Sequence, residues 1–110
     1  MRVYLPLTLD GLAEAVEAGF VSADADKIVA EDESEEAEYA ALMTAADESA
    51  ALIEGPGRRV VLAADVVDVA GAVPKKLWAA LHVDTEDDAD PDDDLAWYAT
   101  QEISDVLAGR

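Results

Sequence analysis

No cysteine occurs in this 110-residue chain. That excludes disulfides, thiolate nucleophiles, Cys-ligated zinc and iron–sulfur clusters together. Aromatic residues make up only 5%, so the core must come from small aliphatic side chains. Much of the 52% apolar content is Ala, the strongest helix former, and helices should be well represented. Positive charge is equally scarce: seven Lys+Arg against 26 Asp+Glu leave a net charge of −19. Phosphate recognition needs clustered basic side chains, so neither nucleic acid nor an anionic membrane surface is an expected partner. No apolar run approaches the roughly 20 residues of a membrane-spanning helix, and the apolar opening ends at Asp10. With no recognisable secretory leader, a cytoplasmic location is expected. The phosphate-binding pattern G-x-x-x-x-G-K-[ST], the dinucleotide pattern G-x-G-x-x-G and the zinc pattern H-E-x-x-H are all missing. No cofactor is expected.

What is present fits one domain over residues 1–110. Residues 2–7 read as a strand that Pro6, which cannot donate a ladder bond, places at an edge or ends. Thr8 is a plausible helix cap. Leu9, Leu12, Ala13 and Val16 recur at helical spacing to about residue 18, and Gly19 sits where a left-handed terminator belongs, with Phe20 as its apolar contact. Residues 21–33 are ambiguous, with a short strand at 27–30 as one reading. Ser34 and three nearby Glu open the strongest helix, about 35–54, which Gly55-Pro56-Gly57 stops. Its expected buried face is Tyr39, Leu42, Met43, Ala46, Ala50 and Ile53.

Residues 58–67 form a continuous β-branched apolar run, the pattern of a central strand covered on both faces. A turn region around Gly71 and Pro74 follows, with 69–73 as a possible hairpin partner. A second buried run covers 77–84, or a helical turn opened by Pro74 precedes a shorter strand at 80–84. After an acidic stretch, Leu95, Ala96, Ala99, Ile103, Val106 and Leu107 define a terminal helix over about 94–108. The order predicts an α/β (α+β) fold: a small layered sandwich of a three- to four-stranded sheet packed with three helices.

Three features invite chemistry. On a helix over 94–108, Trp97 points away from the apolar stripe, beside Thr100, Gln101 and Ser104. An exposed Trp marks an interface or self-association anchor, unless a loop or second layer covers it. His82 is the single histidine and shares a strand face with Asp84. With Asp65 at a neighbouring strand end, and Glu102, it could make an acid–base cluster. No serine lies in a nucleophile-elbow context, and a lone strand histidine is more often structural. The acidic run 84–94 alternates Asp84, Glu86 and Asp88 like a calcium loop. Ala89 stands where the glycine is required and Leu95 where the bidentate glutamate belongs, so no metal site is expected. Solvated charge capping the terminal helix is the simpler reading.

Taken together, Met1-Arg2-Val3-Tyr4-Leu5-Pro6-x-Thr8, Arg58-Arg59-Val60-Val61-Leu62-Ala63-Ala64-Asp65-Val66, His82-Val83-Asp84 and Trp97-Tyr98-Ala99-Thr100-Gln101-Glu102-Ile103-x-Asp105-x-Leu107 resemble an uncharacterised family of small actinobacterial proteins. The resemblance implies a cytosolic bacterial protein and brings no activity. The expected function is that of a non-catalytic accessory or protein-interaction protein, self-association included. The alternative is a small enzyme or ligand-binding domain using the His82 cluster. A third reading is an acidic mimic that binds a basic nucleic-acid-binding protein.

Overall fold

The computed structural model describes residues 1–109. Strand β1 (Arg2–Leu7) leads into helix α1 (Leu9–Ala18), then β2 (Phe20–Val21), β3 (Ile28–Val29) and the long helix α2 (Glu35–Leu52). Strands β4 (Val60–Asp65) and β5 (Val73–Pro74), a 3₁₀ turn at Lys75–Leu77, and β6 (Trp78–Val83) follow. The chain closes with β7 (Ala96–Tyr98), a second 3₁₀ turn at Thr100–Glu102 and helix α3 (Ile103–Ala108).

Five strands form one antiparallel sheet in the order β3-β1-β4-β6-β7, and β2 pairs with β5 in a separate two-stranded ribbon. The layered α+β arrangement is the expected one, with one more strand in the sheet than three to four. The apolar run of β4 sits at its centre, where Val60, Val61 and Leu62 are fully buried. Each such side chain contributes about 1.5–3 kcal/mol relative to leaving it in water. Side chains alternate across the sheet. Val3, Leu5, Leu62, Leu81 and Val83 pack with Leu12, Ala15 and Ile103 on one side, the α1/α3 side. Tyr4, Val61, Ala63 and Ala80 pack with Ala41, Ala45 and Ala46 of α2 on the other.

Local chemistry sets the boundaries. The Thr8 side chain accepts from the Gly11 amide to start α1, and Gly19 at φ 89° ends it in the left-handed region. Ser34 caps α2 by accepting from the Ala37 amide. Pro6 is tolerated because β3 pairs only with Val3 and Tyr4, so β1 has an open side at Pro6. Phe20 is 45% exposed on β2, while Val21 is buried.

Three expectations fail for physical reasons. The buried residues of α2 are Ala41, Ala45, Ala46 and Ser49, whereas Tyr39 and Ala50 are exposed. A stripe of small side chains lets the helix axis approach the sheet closely, and its longer apolar residues are left at the flanks. Val73 does not form a hairpin with β4. It pairs with Val21 instead. The terminal helix begins at Ile103, not near 94, because Leu95 to Tyr98 alternates with a period of two. Leu95 belongs to the α2-side core and Tyr98 packs on the other side, which only extended backbone permits.

Candidate functional site: the aromatic edge and its acidic frame

The geometry starts with a buried ion pair. Arg59 precedes β4 and Asp84 follows β6, so the antiparallel pairing of Val60 with Val83 sets them side by side. Their side chains are only 5% and 2% exposed. The guanidinium donates twice to the carboxylate, Nε to Oδ2 and an Nη to Oδ1, both at 2.8 Å. The Arg59 amide adds a third bond to Oδ2 at 2.9 Å. The remaining donors of Arg59 reach the carbonyls of Pro91 at 3.1 Å and Asp93 at 2.9 Å. The Asp84 carboxylate holds Arg59 above its ordinary basicity. One arginine therefore staples the acidic loop onto the sheet end. Asp88, in the left-handed region at φ 56°, completes the tie through its amide to the Gly57 carbonyl at 2.9 Å. The sequence offered Arg58 and Arg59 as basic residues of a turn that balance nearby carboxylates, but did not pair Arg59 with Asp84. The available signal was an arginine at the mouth of one buried strand and an aspartate at the end of another.

This disposes of the expected acid–base cluster. Asp84 is occupied by Arg59. Asp65 is held by Arg2 at 2.8 Å, and it lies four residues along β4 from Val61, the partner of His82, roughly 13 Å at 3.3 Å per residue. Glu102 accepts from the Ala99 amide at 3.0 Å and lines a hollow of about 230 Å³ with Val83 and Tyr98 on the α1/α3 side, whereas His82 lies in the α2-side row with Val61. The four side chains do not converge. His82 is half-buried beside Tyr4, with ring centroids 6.5 Å apart. Burial lowers its pKa from the ordinary value, and the nearby Arg2 charge lowers it further. Among the described residues no group of three or more His, Asp or Glu side chains could hold a metal ion, and no helix is long and apolar enough to cross a membrane.

The expected Trp97 surface is also rearranged. Thr100, Gln101 and Ser104 line a hollow of about 330 Å³ with Val16, Lys75 and Trp78, on the α1/α3 side. Trp97 pairs with His82, which pairs with Val61, so it belongs to the α2 side. The four residues do not form one helix face. Trp97 stands instead on the outermost strand of the sheet and is 62% exposed. Tyr39, 51% exposed on α2, donates its hydroxyl to Asp94 at 2.7 Å. That bond raises the phenol above its ordinary value. It also joins a second aromatic ring to the segment that leads into β7. An uncharged strand of Ala, Trp and Tyr at a sheet edge lacks the Lys, Pro or bulge that ordinarily blunts such an edge.

Residues 1–107 match a family of unknown function, DUF6912. The chain belongs to that family. No curated protein and no solved structure matches it. The DUF6912 match runs through every strand, α1, α2 and nearly all of α3, so the acidic loop and the aromatic edge both lie within the family region.

Proposed function

We propose that this chain is a non-catalytic protein-interaction protein whose contact surface is the β7 edge centred on Trp97, acting in the cytoplasm. The observation that carries the reading is a rigid, mostly exposed indole on an uncharged outer strand. The dispersal of His82, Asp84, Asp65 and Glu102 removes the support for the acid–base alternative. Tryptophan is enriched among residues that dominate binding energy, because it offers large area at little conformational cost. The clamped loop supports the reading further. Arg59 fixes residues 91–93 by their backbone carbonyls, which holds the approach to β7 in one conformation before any partner arrives.

The test is site-specific photocrosslinking in living cells. A photoreactive amino acid at position 97 should give one or a few discrete adducts. The same group at Val67, which is 98% exposed but away from the sheet edge, should not give them. Equal adduct patterns at both positions, or none at position 97, would overturn the assignment.

A further inference from the structure

Resting on that interaction reading, we propose that the occupant of the β7 edge is an extended, Lys- or Arg-bearing segment of another protein, added to the sheet as a sixth strand. Two independent features select it. The first is backbone geometry: β7 is the last strand of the sheet, and its outer side carries peptide groups for a further strand to pair with. The opposite edge, β3, is also short, two residues against three for β7, and is preceded by Lys27, a residue that blunts an edge.

The second feature is charge. Eight of the eleven residues 84–94 are acidic, and no Lys or Arg occurs between Lys76 and Arg110. Among the described residues, the arginines paired to this loop are already engaged, Arg59 by Asp84 and Arg58 by Asp87 at 3.5 Å. Asp92 and Asp94 are exposed at the entry to β7, within five residues of Trp97. A basic side chain on the added strand would lie over the Trp97 face, where a cation is attracted by the ring, with carboxylates around it. A second copy of this chain brings its own −19 to the same place and is the disfavoured occupant.

The experiment is an amide-resolved NMR titration of the full chain with synthetic peptides. One alternates Lys and Val, one alternates Glu and Val, and one carries the lysines of the first with Pro at the positions that would pair. The Lys-Val peptide should shift the amides of 96–98 and the Trp97 indole NH in a saturable way. Trp97→Ala and the double variant D92N/D94N should each weaken it by about tenfold. Affinity should fall as NaCl rises from about 50 to about 500 mM. The Glu-Val and Pro-bearing peptides should leave 96–98 unmoved. Shifts spread over all surface carboxylates and unchanged by Trp97→Ala would overturn the proposal, as would equal binding of the Glu-Val peptide. Concentration-dependent broadening at 96–98 without peptide would also overturn it and assign the edge to a second copy. A discrete adduct at position 97 with no peptide response would leave the interaction reading standing and sink the basic occupant alone.

Discussion

Arg59 and Asp84 are almost wholly withdrawn from water, and at that depth an ion pair is costly to break though not necessarily costly to replace. Arg59→Met strands a buried carboxylate and releases the two loop carbonyls; a loss of about 3–5 kcal/mol is expected. The double variant R59M/D84L removes both charges and should recover much of that loss. Urea unfolding of the three proteins distinguishes the pair from simple packing. Ser49 is the second buried polar device. Its hydroxyl donates to the Leu7 carbonyl at 2.6 Å and accepts from the Val60 amide at 2.8 Å, tying α2 to the ends of β1 and β4. Ser49→Ala leaves that amide without its partner, and a cost of about 1–3 kcal/mol follows. His82 gives a pH signature. Its folded-state pKa is lowered by burial below the ordinary 6.5, so the unfolded chain takes up the proton first as pH falls. Its contribution to stability is complete above 6.5 and is lost as pH drops through the folded value. The stability difference between the wild type and His82→Gln should therefore be flat above pH 6.5 and shift in favour of the variant below it. A difference that stays constant from pH 7.5 to the acid limit would refute the linkage.

At the scale of elements, the strands and helix starts were legible where chemistry is local. A β-branched run bounded by glycine placed β4, a run after Pro74 placed β6, and Thr8, Gly19 and Ser34 marked helix ends through bonds each makes with its own neighbours. Faces and the last quarter of the chain were not legible. In α2 apolar residues are spread around the helix, and the buried stripe is chosen by close approach, through Ala41 and Ala45, instead of by hydrophobicity. Near residue 97, two alanines and two large rings satisfy periods of two and of 3.6 equally well, and pairing with β6 decides between them. The candidate site suffered the same way: Trp97 was legible as an exposed ring, but its strand, its opposed His82 and the Arg59 staple all depend on contacts remote in sequence. The α2 face yields a direct test. Ala45 is fully buried, so Ala45→Leu should overpack the helix–sheet seam at a cost of about 1–3 kcal/mol. Ala50, which simple periodicity puts inside, is exposed, and Ala50→Leu should be within about 0.5 kcal/mol of wild type. Thermal melts reading the reverse order would place the helix with its other face to the sheet.

At the scale of the molecule, charge sets the response to salt. Arg2–Asp65 and Arg58–Asp87 are solvent-accessible pairs, each worth little and weakened by added ions. The Arg59–Asp84 pair is enclosed, so screening reaches it far less. Against these stands the mutual repulsion of the unpaired carboxylates in a compact body with a Cα radius of gyration of 12.7 Å. Every carboxylate lies within a few Debye lengths of the others, each about 10 Å at 0.1 M salt. Screening removes a many-body repulsion and weakens attractions such as Arg2–Asp65 and Arg58–Asp87 that are each marginal, so the net sign is stabilising. Raising NaCl from about 50 to about 500 mM should lift Tm by a few degrees, the size of change that roughly 0.5–1 kcal/mol produces in a domain of this length. The same salt should weaken the hold of the proposed basic partner on the β7 edge, so stability and partner affinity should move in opposite directions along one titration. A Tm that falls with NaCl would mean that the exposed ion pairs outweigh the repulsion, and that the acidic surface is more closely neutralised than its sequence implies.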